Sequence, residues 1–411
     1  MTMRRVALSL VALFSCSVFA QQYPSLHYVV ISDLNTGYVD ILTRNMEAFY
    51  ENMLGGYFEQ GWQQPLTIYY FEKQSDTQAY LGGAEKIYYG IYIPSKNAIF
   101  THRIMDDGSL AGLGTLFHEI THHFVRINYT NPPSWFDEGL TSFLSEQTRI
   151  VNGKVSLGHP NPWREQALRD MIESGAAIDV RYYTSLNGEK FYADRKNYHP
   201  LRALFYWMYM NGRLKAYMAN VKQQGYALSV LEQTTGKNAD QISIELLAFI
   251  RKNGYAGAYV QDSLRASNAE NKKRLLSAAL NLMPDYSRAR YDLALLLYRE
   301  QDYAGCQREL EVVLKDTHCI EYKDASRLMG DYRYKEKNIQ QALIHYQNAF
   351  NAAAYDEYQY EICYNVAACY MAKGDKEQAR VWLKDYLAKN WEPQTTQKSC
   401  KSAKDYLEQN P

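Results

Sequence analysis

The segment His118-Glu119-Ile120-Thr121-His122 sets two imidazoles four residues apart, with a carboxylate beside the first. On a helix that spacing advances about one turn and rotates about 40° around the axis. Both rings then face the same way and can share one metal ion. Glu119 sits beside them, placed to act on a water bound to that metal. Sixteen residues after His122 comes Glu138, in Trp135-Phe136-Asp137-Glu138-Gly139, which supplies a candidate third ligand. Two nitrogens and one carboxylate oxygen suit Zn²⁺ better than Ca²⁺ or Mg²⁺. Asp137 reads as a solvated or hydrogen-bonding carboxylate rather than a further ligand.

Such a site needs a helix that packs on one face and leaves the other free. With Leu113 at zero and about 100° per residue, Leu116, Phe117, Ile120, Phe124 and Ile127 fall within about 60° of it. His118 and His122 fall at about 140° and about 180°, and Glu119 at about 240°. His123, at about 280°, lies off the metal face and is expected to pack or to support a ligand. Asn131-Pro132-Pro133 ends this helix, and Ser134 is placed to cap the next. In that second helix Phe136, Leu140, Phe143 and Leu144 form one stripe, with Glu138 across from it. A short Pro turn between the helices can bring Glu138 back to the histidines.

The 411 residues leave room for two or three domains. Lys plus Arg and Asp plus Glu both number 45, so no net charge draws the chain to nucleic acid. The N-terminus reads as a secretory leader: Arg4 and Arg5, an apolar run from Val6 to Phe14, then Val18-Phe19-Ala20 before cleavage at Gln21. Lipid attachment at Cys16 is the weaker alternative, because Phe14 fits that signal poorly. No later stretch has the length and apolarity of a membrane span. The expected product is exported, to a bacterial periplasm or beyond. Cys306, Cys319, Cys363, Cys369 and Cys400 lack metal-binding spacing and read as small buried residues. The 37 tyrosines read first as packing residues, although a tyrosine-rich surface can also bind peptides or glycans.

Residues 26–108 alternate strand and helix signals. His27–Ser32 and Pro65–Phe71 are strand-like, Tyr38–Tyr57 is an amphipathic helix, and Ile87–Tyr92 with Asn97–Thr101 reads as a hairpin around Pro94-Ser95-Lys96. From 150 to 255 the chain is mostly helical, with helices near Arg164–Gly175, Arg202–Asn211, Leu214–Gln224 and Asp240–Asn253. Beyond 256 one pattern recurs. Ala294, Tyr303, Cys306, Leu310 and Val313 share their offsets with Gly330, Ile339, Ala342, Tyr346 and Ala349, and again with Ala367, Lys376, Ala379, Leu383 and Tyr386. The period is 36 and then 37 residues, slightly above the roughly 34 usual for tetratricopeptide-like helical hairpins, which the pattern otherwise fits. Stacked hairpins bury a shared core and expose a concave groove for a peptide or protein partner, or they brace the neighbouring lobe.

The metal segment with Ser134-Trp135-Phe136-Asp137-Glu138-Gly139-Leu140 resembles the gluzincin metallopeptidases, and more narrowly the peptidase-MA-like family of exported bacterial proteins. The resemblance spans roughly Leu26 to Lys252. It implies zinc on His118, His122 and Glu138, and Glu119 as general base. It also implies that Asn97-Ala98-Ile99-Phe100 is the edge strand above the metal, with Asn97 and Ala98 binding an extended peptide. Tyr198 matches a family tyrosine that starts a helix behind the zinc. Zinc peptidases need a donor to the developing oxyanion, and Tyr198 or its neighbour His199 can supply it. One departure stands out: where thermolysin-like enzymes carry an acid that orients a ligand histidine, this chain has Ser142.

The expected architecture is an α+β zincin-like catalytic domain followed by an all-α tetratricopeptide-like repeat domain. A leader over 1–20 precedes an α/β lobe at 21–108, a helical zinc-binding lobe at 109–255, a linker at 256–270 and repeats at 271–411. The expected function is zinc-dependent hydrolysis of a peptide or protein substrate, with the repeats binding a partner. Two alternatives stay open: an envelope assembly factor acting through its repeats, and a zinc amidase acting on a cell-wall component.

Overall fold

The computed structural model describes residues 20–81, 89–103, 113–354, 359–389 and 397–410, so the expected leader lies almost wholly outside the described residues. A small mixed sheet comes first, and the rest of the chain is largely helical. Strands β1 (Gln21–Pro24), β2 (Tyr28–Ser32), β3 (Leu66–Phe71), β4 (Gly90–Ile93) and β5 (Ala98–His102) form one sheet in the order β1-β2-β3-β5-β4. Pairs β1–β2 and β4–β5 are antiparallel, whereas β2–β3 and β3–β5 are parallel. A parallel pair needs a crossover. Helix α1 (Thr36–Gly56), capped by the Asn35 side chain on the Tyr38 N–H, provides the one from β2 to β3. Helix α2 (Gln74–Tyr80) lies on the way from β3 to β4.

This order corrects the expected edge. Ala98 is 2% exposed, and its strand β5 is flanked on both sides, by β3 and β4. Asn97 sits in the turn between β4 and β5 with a left-handed φ of 46°. The Pro94–Lys96 turn reverses the chain as expected, but β5 returns inward to pair with β3. Among the described residues the edge on that side is therefore β4.

Helix α3 (Leu113–Asn128) packs on the sheet and on α1 through the stripe expected of it. Leu116, Phe117, Ile120 and Phe124 are fully buried, and Phe117 stacks on Phe49 of α1 with ring centroids 4.1 Å apart. Each such side chain stabilises the fold by roughly 1.5–3 kcal/mol. The chain turns at Asn131, whose φ is 47°, and enters α4 (Ser134–Ser145). Pro133 rather than Ser134 holds the cap position, because Ser134 already lies within the first turn. A two-stranded hairpin follows, β6 (Arg149–Val151) and β7 (Lys154–Ser156). Helices α5 (Pro162–Glu173), α6 (Val180–Ser185), α7 (Gly188–Ala193), α8 (Tyr198–Met210), α9 (Leu214–Gln224), α10 (Leu228–Thr235) and α11 (Ala239–Phe249) complete this part, which shares one hydrophobic core with the sheet.

The stretch expected to be a linker, 256–270, is instead mostly helix. Helix α12 (Tyr255–Arg265) lies on α5, where Asp262 accepts from Gln166 Nε2 at 2.7 Å and Arg169 Nη1 at 2.8 Å. Its small residues serve close packing: a Cβ at Gly257 would come within 3.0 Å of Pro160 Cβ. Helices α13 (Ala269–Leu282), α14 (Ser287–Arg299), α15 (Tyr303–Val313), α16 (Tyr322–Lys335), α17 (Ile339–Ala352), α18 (Gln359–Lys373), α19 (Lys376–Lys389) and α20 (Gln397–Gln409) follow. They pack as successive pairs, α12 with α13, α14 with α15, α16 with α17 and α18 with α19. The recurring Ala294, Ala342, Ala349, Ala367 and Ala379 are all fully buried at these contacts. Cys306, Cys319, Cys363 and Cys369 are buried too. Burial pushes the Cys306 thiol up to about 11 and the Cys319 thiol to about 12, which makes them poor nucleophiles. No helix among the described residues is long and apolar enough to cross a membrane.

Candidate metal centre

Helices α3 and α4 meet so that His118, His122 and Glu138 form one cluster. The two Nε2 atoms are 3.1 Å apart, and Glu138 Oε2 lies 3.3 Å from that of His118 and 3.5 Å from that of His122. Ligands held tetrahedrally at zinc distances of about 2.0–2.1 Å are separated from one another by about 3.3 Å. The three observed spacings bracket that value. Glu138 Oε2 is buried, and among the described residues it faces only the two imidazole nitrogens, with no well-aligned hydrogen-bond donor. A buried carboxylate oxygen without a donor is costly, and a cation between it and the two rings would remove that cost. The donor set therefore fits Zn²⁺.

The charges around the cluster point the same way. Burial by itself opposes ionisation of Glu138, but the two imidazoles outweigh it and hold this carboxyl well below its usual range. Burial likewise disfavours a charged His122, but Asp137 and Glu138 raise its pKa well above that of a free imidazole. A proton held there competes directly with a metal ion, so metal uptake must release it.

Asp137 resolves the doubt raised by Ser142. Its Oδ1 lies 2.8 Å from His122 Nδ1, the ring nitrogen that faces away from the cluster. Thr141 Oγ1 donates to the same carboxylate oxygen at 3.4 Å. A carboxylate in that position fixes the tautomer and orientation of a ligand imidazole. Ser142 is fully buried and takes no such part. The orienting acid thus comes from the residue before Glu138.

Glu119 is 8% exposed, and its Oε2 accepts the Tyr92 N–H at 2.8 Å. Burial pushes its carboxyl up, the imidazoles of His118 and His122 pull it back, and the net shift is upward. Strand β4 can come this close to α3 because position 90 is glycine. A Cβ there would lie 2.9 Å from Thr115 Cγ2 and 3.3 Å from Glu119 Cγ. The Tyr92 N–H points at Glu119 and away from β5. By the alternation of an antiparallel ladder, the Tyr92 carbonyl and both main-chain groups of Gly90 also face outward. His123 is packed, with Nδ1 2.6 Å from the Tyr92 hydroxyl of this strand and its ring edge-on to Trp62. Burial, with Arg126 adding to it, lowers the His123 pKa to about 4.

The two expected oxyanion donors part company. Tyr198 faces the cluster: burial and the charge of Glu138 raise its phenol far above the ordinary value. His199 turns the other way, edge-on to Trp163, with Nδ1 3.5 Å from Arg164 Nη1. Burial and Arg164 lower it to about 4, so it is a neutral packed ring. Arg164 in turn binds Glu146, and Arg202 bridges Glu146 and Glu165 beneath the site. One contributor escaped the sequence altogether. Tyr192, at the end of α7, donates its hydroxyl to Glu138 Oε1 at 3.0 Å. It lies 54 residues from its partner, and no local pattern marks it.

Compared with protein-family models and with curated proteins, the chain matches none.

Proposed function

We propose that this chain is an exported zinc metallopeptidase of the gluzincin type, as its resemblance to the peptidase-MA-like proteins implies. One observation carries the reading: the donor atoms of His118, His122 and Glu138 converge at 3.1–3.5 Å from one another, with the Glu119 carboxylate beside them. Zinc in that position supplies a Lewis acid that activates water and polarises a carbonyl. Glu119 takes the water's proton and passes it to the departing amine. Its burial raises its basicity, and the Tyr92 N–H fixes where it points. The outward main-chain groups of β4 offer an extended peptide an antiparallel edge next to that base, and such pairing is blind to sequence. Tyr198, which faces the cluster, is the better placed of the two expected oxyanion donors. The paired helices beyond α12 read as tetratricopeptide-like repeats that present a partner or a protein substrate.

Glu119→Gln tests the reading in the full-length protein. The variant is expected to hold about one zinc per chain while hydrolysis of a generic peptide falls by roughly 10²–10⁴-fold. Undiminished hydrolysis in a pure, zinc-replete variant would remove Glu119 from the mechanism. A wild-type chain that takes up no zinc would remove the site itself. A partner-dependent phenotype that survives Glu119→Gln but not loss of the repeats would favour an assembly factor instead.

A further inference from the structure

The two oxygens of Glu138 have different surroundings. Oε2 points between the His118 and His122 rings, 3.3 and 3.5 Å from their Nε2 atoms, and among the described residues no other donor reaches it. Oε1 points outward and accepts the Tyr192 hydroxyl at 3.0 Å. The terminal torsion of a glutamate is broad and roughly two-fold, so nothing intrinsic to the side chain favours one oxygen. The asymmetry comes from what holds the outer one.

Tyr192 is well fixed for a ring that is 54% exposed. It lies in α7, whose first turn is capped by Asn187 Oδ1 on the Lys190 N–H at 2.9 Å. The adjacent Phe191 is fully buried and packs on Tyr198, with ring centroids 4.9 Å apart. Asn197 Nδ2 donates to the Phe191 carbonyl at 3.0 Å. Ser134, in the first turn of α4, stands beside the phenol oxygen. The exposed ring is thus anchored from both sides of its backbone, and its hydroxyl is committed to Glu138.

We infer that Tyr192 is a positioning residue that restricts Glu138 to one-oxygen ligation. The inference rests on the metal site proposed above. Two imidazoles and a single carboxylate oxygen fill three positions and leave the fourth open, as hydrolytic zinc sites require. A glutamate bound through both oxygens would fill that fourth position. By occupying Oε1, Tyr192 keeps a place for water. Tyr198 also interacts with the Glu138 carboxylate, but Tyr192, whose hydroxyl holds Oε1 at 3.0 Å, acts on the ligand rather than on the substrate.

Cobalt(II) reports this directly, because its visible absorption weakens as coordination rises from four to five. The experiment uses the full-length protein, with Tyr192→Phe as the variant. Tyr182→Phe is the control: it is equally exposed at 54% and, among the described residues, its ring packs on the aromatic ring of Tyr183. Wild type and Tyr182→Phe are expected to bind one cobalt with the same intense spectrum. Tyr192→Phe is expected to bind one cobalt with a weaker, shifted spectrum and to lose roughly 10–100-fold in zinc affinity by chelator competition. A wild-type spectrum from cobalt-loaded Tyr192→Phe overturns the inference while leaving the metal site intact. Lost peptidase activity alongside that unchanged spectrum also overturns it, by moving Tyr192 to the substrate. A wild-type chain that binds no cobalt or zinc overturns the site, and this assignment with it.

Discussion

Among the described residues, most buried side chains between Tyr28 and Ile250 join into one hydrophobic core, with a small second cluster of Leu81, Ala98 and Phe100 on the sheet, whereas from Ala256 onward they divide into four separate clusters along the chain. Both parts are rich in helix, but their connectivity differs. In the first, α3 touches the sheet, α1 and α4 together, so each element supports several others. In the second, each helix packs mainly on its neighbours in sequence, and small residues such as Ala294, Gly330 and Ala367 allow the close approach. The first arrangement can position four side chains from three helices around one point. The second has quasi-one-dimensional energetics and can loosen locally. Chemistry that depends on small differences in distance belongs in the first.

The largest effect that would break this contrast lies under the candidate metal centre. Arg202 is 2% exposed, with Nε 3.3 Å from Glu146 Oε2 and Nη1 3.1 Å from Glu165 Oε1. Its Nη2 also donates to the His159 carbonyl at 2.9 Å. The two carboxylates shift in opposite directions. Burial pushes Glu165 up despite Arg202, whereas Glu146 is also held by Arg164 and ends below its usual range. Arg202→Met leaves both carboxylates buried without this partner, which costs about 3–5 kcal/mol. The lobe is expected to lose stability as a whole, and zinc with it, in one calorimetric transition. Leu310→Ala, between α14 and α15, costs a comparable 2–5 kcal/mol or so. It is expected to speed amide exchange in its own and adjacent helices and leave zinc bound. Zinc release from the Leu310→Ala protein at the same denaturant as from Arg202→Met would show that the two parts unfold together.

What the sequence conveyed follows the same division. The metal helix, the Pro turn, α4 and the repeats were legible because each depends on spacing within a few tens of residues. Hairpin β6–β7 also carries its own local signal. Ile150-Val151-Asn152-Gly153-Lys154-Val155 carries an Asn-Gly turn between β-formers, and Asn152 and Gly153 adopt φ of 50° and 75°. The edge strand was not legible. Whether β4 or β5 takes the outer position depends on which of them pairs with β3, and that contact crosses a helix and a turn. Asp137 was visible as a carboxylate, but its role needed the docking angle of α4 on α3. Tyr192 and the Arg202 network join distant segments and left no periodic trace.

Acid offers a smaller perturbation concentrated in the first part, although burial also lowers His345 in the repeats. His199 is buried there and His159 half-buried, and loss of hydration lowers both to about 4. His159 Nε2 lies 2.8 Å from Ser156 Oγ. A histidine whose folded pKa lies below its unfolded value of about 6.5 is protonated more readily in the unfolded chain. Its stabilising contribution is complete above about pH 6.5 and is lost as pH falls toward 4. At pH 5.5 the loss comes to about 1.4 kcal/mol for each of the two. Denaturant midpoints of the lobe are expected to fall between pH 7 and 5.5, and His159→Gln is expected to flatten part of that slope. A slope unchanged in His159→Gln would mean that this ring titrates alike in both states.

The smallest effect concerns the seam between the two parts. Past α12 the repeats touch the first part again through Asn152 Nδ2 to the Thr317 carbonyl at 2.8 Å and Ser156 Oγ to the His318 carbonyl at 2.9 Å. Arg44 Nη1 adds a third contact, to the Ala354 carbonyl at 3.0 Å. All three join a side chain to a main-chain oxygen at an exposed site. Each is expected to contribute only about 0.5–1.5 kcal/mol. The α5–α12 contact, with Asp262 bonded to both Gln166 and Arg169, remains when they are removed. Replacing Asn152, Ser156 and Arg44 together by Ala should therefore leave zinc content and peptide hydrolysis unchanged. It should raise amide exchange around residues 316–321 and broaden the size distribution in solution scattering. Reduced turnover in the triple variant at full zinc occupancy would instead mean that the repeats hold the lobe in its working shape. The two parts would then be one mechanical unit despite their separate cores.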